Sequence, residues 1–183
     1  MAAAKLADEP THETLKRVFG SFATGVAVIG SRDGNGELAG MTVNSLTSVS
    51  MDPPLVLFCP SRSLTAFGVY ASAQYFSVSI LPEQCEAVSN HFARSGIEKW
   101  NAIPYSVGPH GSPFLDYALA AMECEVVARH QAGDHLIVLG SVLRVMVSAS
   151  EDPLIFFRSR YRQLDPARGS TGARDFAPFE AWG

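Results

Sequence analysis

The chain has 183 residues, 47% of them hydrophobic and 17% charged, with a formal net charge of −4. That is enough apolar material for one globular domain with a real core, too little charge for a disordered polyelectrolyte, and, with Lys and Arg dispersed, the wrong electrostatics for a nucleic-acid binder. No apolar run approaches the ~20 residues that span a bilayer, MAAAKLADEP lacks the apolar core of a secretory signal, and Cys59, Cys85 and Cys124 sit among apolar neighbours without CxxC or Cys/His spacing, so the expectation is a cytoplasmic protein with reduced thiols, no metal and no membrane partner.

Residues 1–10 read as a loose leader ending at Pro10, and 11–164 as a single domain. Thr11 resembles a helix N-cap. Leu15, Val18, Phe19 and Phe22 then fall at i, i+3, i+4 and i+7, one face of a helix that Gly25 ends. VAVIGS is a β-branched run. Asp33-Gly34 and Asn35-Gly36 are hairpin-turn dipeptides, so strands run to Gly30 or Ser31 and resume near Leu38.

GMTVNSLTSVSMDPPLVLF, residues 40–58, is the most informative stretch. Thr42, Asn44, Ser45, Thr47, Ser48 and Ser50 are uncharged hydrogen-bonding groups set among Met41, Val43, Leu46 and Val49. Buried hydroxyls and amides cost stability unless paired, so the row needs a partner. A neighbouring strand would serve; so would a neutral, flat, polar-edged ligand such as a flavin ring. LVLFC after Pro53-Pro54 reads as a buried strand.

Ser63 is placed to cap a short helix carrying Leu64, Phe67 and Tyr70 inward. Ser61, Ser63 and Thr65 would then bring hydroxyls to a helix N-terminus, which favours an anion; plain N-capping by Ser63 is the alternative. YFSVSIL is a strand with Phe76, Val78 and Ile80 on one face. Pro82 marks a helix start, with Cys85, Val88 and Phe92 as its buried stripe. Residues 95–113 read as a long loop. AMECEVVARHQ and HLIVLGSVLRVMV are strands joined by Ala132-Gly133-Asp134. LIFFRSRYRQL gives one last strand and turn, and 165–183 is a tail without periodicity. Many strands at short spacing with a few helices point to a closed β-barrel with helical decoration. There is no G-x-S-x-G, H-E-x-x-H or Walker A string, and no G-x-G-x-x-G after a strand. A Rossmann nicotinamide fold is therefore not expected.

FATGVAVI at 22–29, the 40–58 stretch, FSVSILPEQ at 76–84, HFA at 91–93 and GDHLIVLGSV at 133–142 follow one another in an order that resembles the short-chain flavin reductases. The resemblance covers roughly residues 11–165. It implies a mainly β fold, a Greek-key-like split β-barrel with a few peripheral helices. It implies binding of FMN or FAD, NADH or NADPH as co-substrate, a homodimer with flavin near the subunit interface, and delivery of reduced flavin to a partner flavin-dependent monooxygenase. A flavin-binding module without turnover and a flavin-dependent oxidase acting on a small substrate are the alternatives.

The resemblance also implies site residues. Met41, Thr42, Asn44 and Ser45 lie on the strand that lines the flavin ring, and Ser48 and Ser50 toward the ribityl chain. Phe58, Cys59 and Pro60 lead into Ser61, Ser63 and Thr65 at the phosphate, with Arg62 as a possible counter-charge. Asn90 to Arg94 stand beside the phosphate or adenine side; there Phe92 also suits the core, while Ala93 and Arg94 are free to meet the cofactor. Gly133, Asp134 and His135 form a tight turn at the nicotinamide side, which Tyr161 would help to close. Asn44 and His135 are the catalytic candidates. Trp100 follows Lys99 where the family has a lysine-aromatic pair, suited to cover the flavin or a neighbouring subunit, or equally to lie in a surface loop.

Overall fold

The structure, a computed structural model, describes residues 10–96, 98–148 and 152–164. The expected leader and tail lie almost wholly outside these residues. Thr11 caps α1 (His12–Phe19): its hydroxyl accepts from the Thr14 amide and Thr14 returns the favour to the Thr11 amide. The helix stops at Gly20, not Gly25, because the carbonyl of Gly20 is taken by the amide of Arg158 at 2.7 Å. Gly25 instead belongs to a short strand, β1 (Thr24–Gly25), paired with β11 (Ile155–Phe157). The apolar face of α1 is left largely exposed among the described residues: Val18 and Phe19 are 65% and 70% exposed, and Phe22, just beyond the helix, 76%.

β2 (Ala27–Arg32) and β3 (Leu38–Val43) form the expected hairpin. Asp33 fixes its turn, with Oδ1 accepting from the amides of Asn35 and Glu37 at 2.9 and 2.8 Å. β4 (Thr47–Met51) and β5 (Pro54–Phe58) follow. The polar stretch is therefore two strands, broken at Asn44–Leu46, and not one. α2 (Phe67–Ser72), β6 (Tyr75–Ile80), a single 3₁₀ turn at Glu83–Cys85 and α3 (Glu86–Ala93) come next. β7 (Tyr105–Val107) lies inside the expected long loop and β8 (Pro113–Leu115) begins at its last residue; both are too short to carry a period. β9 (Ala120–Ala132) and β10 (His135–Val147) form a long hairpin. The last segment is a hairpin of β11 and β12 (Arg160–Arg162), turning at Arg158 and Ser159 with φ of 51° and 58°.

The main sheet is antiparallel throughout, in the order β3-β2-β6-β9-β10-β5-β4. Its curled inner face holds Ile29, Met41, Phe58, Tyr70, Phe76 and Val138. A second cluster, with Val28, Leu81, Phe92, Trp100, Leu115 and Leu154, covers the opposite face. That explains why VAVIG lacks a polar alternation: β2 is buried on both sides. Its carbonyl at Ile29 accepts from the Tyr70 hydroxyl at 3.2 Å, and burial pushes that phenol above its ordinary pKa. This is a mainly β split barrel with peripheral helices; the closed barrel expected from strand spacing is corrected, because the edge strands β3 and β4 do not pair with each other. Cys85 and Cys124 are buried and Cys59 half-buried, with no disulfide among them. Burial, with Glu123 beside it, pushes the Cys124 thiol up to about 12. No helix of the described residues is long and apolar enough to cross a membrane.

Candidate functional site

β3 and β4 are consecutive in the chain yet form the two opposite edges of the sheet. The linker Asn44-Ser45-Leu46 therefore crosses the open seam of the barrel. An edge strand carries one row of backbone N–H and C=O groups without a strand partner. The seam is thus a slit lined with donors and acceptors. Ser45 ties the linker down, its Oγ accepting from the Cys59 amide at 3.1 Å. Asn44 is exposed, and its side-chain amide makes no hydrogen bond among the described residues.

Beyond β5 the chain keeps following β10. Leu136 N donates to Pro60 O at 3.0 Å, Arg62 N to Asp134 O at 2.9 Å, and Ser61 bridges His135. The hydroxyl loop and the Gly133–His135 turn are therefore one unit. Gly133 has φ of +60° with open space around it, so conformation and not crowding requires glycine there. Asp134 Oδ1 lies 2.7 Å from His135 Nδ1. The hydrogen bond from His135, reinforced by its charge, holds the Asp134 carboxyl below the usual carboxylate range. With Nδ1 engaged, His135 presents Nε2 outward.

The helix-terminus reading of Ser63 is corrected. α2 begins only at Phe67, with Ala66 at its N-cap and no side-chain cap. Ser61 intervenes: its Oγ lies 2.9 Å from Ser63 Oγ and accepts from the Ser63 amide at 3.3 Å, while its carbonyl accepts from Leu64 N at 3.2 Å. This local turn uses up the residues that would have started the helix. Ser61, Ser63 and Thr65 are instead a loop of hydroxyls, with Ser63 and Thr65 exposed. The Arg62 guanidinium is bonded to Gln131 Oε1.

Other predicted residues divide by burial. Phe58, Pro60 and Phe92 are core side chains: Phe58 packs 4.8 Å from Phe76, and Phe92 4.8 Å from Trp100, ring to ring. Their side chains have no surface to offer a ligand, because β5 and α3 turn them inward. Ala93 and Arg94 end α3 exposed, as Ser48 does on β4; Ser50 is half-buried beside a bulge in the β4–β5 pairing. Thr42 Oγ1 donates to Ser89 O at 2.6 Å. The Tyr161 hydroxyl reaches Ser89 Oγ at 2.8 Å and Asn90 Oδ1 at 3.2 Å, so its contacts place it with α3.

Sequence reasoning missed a cleft of about 570 Å³ between the start of β3, residues 64–66, and residues 95, 96 and 98–101. Met41 and Thr65 line it. Lys99 Nζ donates to Gly40 O at 2.8 Å and to Phe92 O at 2.9 Å, and burial lowers its pKa. Trp100 is 3% exposed, packed between Phe92 and Tyr105, which overturns a surface-loop role. A Cβ at Gly40 would fall 2.5 Å from the Phe92 ring and 2.9 Å from Trp100 Nε1. A glycine inside a strand is the signal that a neighbour approaches closely there.

A family model described as a flavin reductase-like domain matches residues 19–165. A flavin reductase of Pseudomonas putida is 36% identical over 146 residues, 80% of this chain and 86% of that one. The reductase subunit HsaB of a flavin-dependent monooxygenase from Rhodococcus jostii is 32% identical, covering 82% of this chain and 77% of its own length. The NADH:FAD oxidoreductase SgcE6 of Streptomyces globisporus, solved with NAD and FAD fragments, superposes with a TM-score of 0.83 at 34% identity, over 89% of this chain and 98% of that one.

Proposed function

We propose, for a chain that belongs to the family of flavin reductase-like domains, that it is an NAD(P)H-dependent flavin reductase acting on FMN or FAD. The observation that carries this reading is the convergence of the barrel seam, the Ser61–Thr65 loop and the His135 turn on one another. The two cofactors supply the chemistry, a hydride passing from nicotinamide C4 to flavin N5.

The donor set fits a flavin. An isoalloxazine edge offers neutral carbonyls and ring nitrogens, and the seam offers an unpaired amide, hydroxyls and strand-edge backbone groups without full charges. In this reading Asn44 donates to the N1–C2=O edge, where negative charge gathers on reduction. Thr42, Ser45, Ser48 and Ser50 supply further hydroxyls, and Ser61, Ser63 and Thr65 hold the phosphate. Met41, Cys59, Ala93 and Arg94 border the cofactor; Tyr161 steadies α3 beside it. While its ring is neutral, His135 keeps its proton on Nδ1 for Asp134 and accepts through Nε2 from the nicotinamide carboxamide.

The reduced flavin passes to a flavin-dependent monooxygenase; relatives that are reductase subunits of such enzymes support this. A second copy of the chain covers the apolar face of α1 and the exposed Val145 and Val147 of β10. Light scattering at micromolar concentration should report a dimer, and a monomer would contradict it. The activity itself is tested by steady-state oxidation of NADH and NADPH with FMN and FAD in all four pairings. Nicotinamide consumption that does not depend on added flavin in any pairing removes the proposal.

A further inference from the structure

We propose that Tyr161 is a positioning residue of the flavin site: through Ser89 it holds Thr42, and with Thr42 the end of β3 from which Asn44 departs. The proposal rests on the assignment of the barrel seam to the flavin ring. Three segments far apart in sequence meet here. Thr42 Oγ1 donates to Ser89 O at 2.6 Å. Ser89 Oγ lies 2.8 Å from the Tyr161 hydroxyl, which itself donates to Asn90 Oδ1 at 3.2 Å. A phenol has one hydrogen. With it on Asn90, Tyr161 accepts from Ser89.

β3 needs such a tie. It is an edge strand, paired with β2 on one side only, and its end runs straight into the linker across the seam. Gly40 and Thr42 share one face of it by the two-residue period of a strand, and α3 packs on that face. Two ties cross there. Lys99 Nζ bonds Gly40 O and Phe92 O, at mid-strand. Thr42 and Ser89 form the other, nearer Asn44. The second tie is only as firm as Ser89. That residue is wholly buried, with Phe92, on the inner face of α3, where an unpaired hydroxyl is costly. Among the described residues Tyr161 is the one side chain that pairs it. Deprived of that partner, a buried serine turns its hydroxyl onto a carbonyl of its own helix and bends the helix, which carries Ser89 O away from Thr42. The Tyr161 ring has a separate anchor in Phe156, 5.5 Å away edge to face, so its hydroxyl is spare for this task. The task matters chemically because Thr42 has one hydroxyl hydrogen and spends it on Ser89. Toward a ligand it is an acceptor only, and the one ring N–H of an oxidised flavin is a donor.

Tyr161→Phe removes the hydroxyl and keeps the ring, and Ser89→Ala breaks the same chain one link nearer. Each is titrated with riboflavin and with FMN, followed by fluorescence and by the absorption spectrum of the bound ring, with the urea midpoint measured alongside. Both should weaken riboflavin and FMN by the same factor, about three- to tenfold, the worth of one hydrogen bond, and move the bound spectrum toward that of free flavin. KM for NADH should hold. The effect should run through Thr42: Tyr161→Phe should cost as much in a Thr42→Ser background, which keeps the hydroxyl, and nothing further in Thr42→Val, which lacks it. Unchanged flavin affinity in Tyr161→Phe overturns the proposal, whatever the urea midpoint does. So does an undiminished loss in the Thr42→Val background, which would make the tyrosine a general support of the fold. So does a raised KM for NADH with flavin affinity intact, which would turn the hydroxyl toward the nicotinamide. Failure of riboflavin and FMN to bind the native chain overturns the flavin reading itself, and with it this one; the native titration separates that failure from the others.

Discussion

Two sets of serines in this chain look alike in sequence and behave in opposite ways. Ser31, Ser77 and Ser79 sit on β2 and β6 in the middle of the sheet, essentially without exposure. Each spends its hydroxyl on backbone: Ser31 on Tyr75 O at 2.8 Å, Ser77 on Pro113 O, Ser79 as acceptor from Leu115 N at 3.1 Å. Ser48, Ser61 and Ser63 sit at the seam, half-buried or exposed, and Ser61 and Ser63 bond chiefly to each other. The first set holds the barrel together. The second leaves hydrogen-bonding capacity facing outward. Small-polar/apolar alternation therefore marks a place where backbone or a ligand must supply partners, and strand order decides which of the two it is.

The sharpest way to break this contrast is to damage the interior. Phe76 lies in the barrel core, in ring contact with Phe58. Phe76→Ala should cost about 3–5 kcal/mol of stability, seen as a lower urea midpoint, while flavin affinity measured below that midpoint stays near native. A variant of native stability would mean that the barrel interior is not the stabilising region. At the seam the pattern reverses. Ser63→Ala/Thr65→Ala should leave stability within about 0.5 kcal/mol. It should weaken FMN by about 1.5–3 kcal/mol, the range of hydrogen bonds to a charged group. Riboflavin, lacking the phosphate, should bind as before; equal weakening of both would move the phosphate elsewhere.

A smaller effect is expected at His135. His135→Ala removes one neutral hydrogen bond to the nicotinamide, about 1 kcal/mol, so KM for NAD(P)H should rise severalfold or flavin reduction slow by a similar factor. Flavin affinity should hold. Rapid-mixing traces identical to native would return His135 to an ordinary surface residue. Loss of flavin binding would show that the turn is structural.

How much of this was legible beforehand depends on the range of the interactions involved. The Thr11 cap, the Asp33 turn and the Gly133-Asp134 hairpin were readable because each is closed by residues within a few positions of itself. Strand spacing brought a barrel, and the family resemblance brought its split form. The break at Asn44–Leu46 was not readable: nothing local distinguishes VNSLT from a continuing strand, and only the sheet order sends β3 and β4 to opposite edges. Ser63 misled because a competing local bond from Ser61 delays the helix to Phe67. Trp100 and the cleft were hidden because Gly40, whose close approach fixes their place, is remote in sequence. For the site, residue types were visible, but which hydroxyls stay unspent was a tertiary fact.

The smallest expected effect is electrostatic, and it probes whether the His135 turn is preset before any cofactor arrives. Asp134 is fully exposed, and its carboxyl titrates below the ordinary range, first because His135 Nδ1–H donates to it and second because of the charge on that ring. A carboxyl whose folded pKa is depressed contributes stability above its unfolded pKa of ~3.9. That contribution fades as pH falls through the folded value. Exposure and salt screening keep it slight, so the carboxyl titration itself, followed by its carbon chemical shift, is the better readout. His135→Ala should return Asp134 to the ordinary carboxylate range, and high salt should move the native value part of the way. If Asp134 titrates identically with and without the imidazole, the pair does not form in solution. His135 is then not oriented by its neighbour, and the acceptor role of Nε2 at the nicotinamide loses its structural basis.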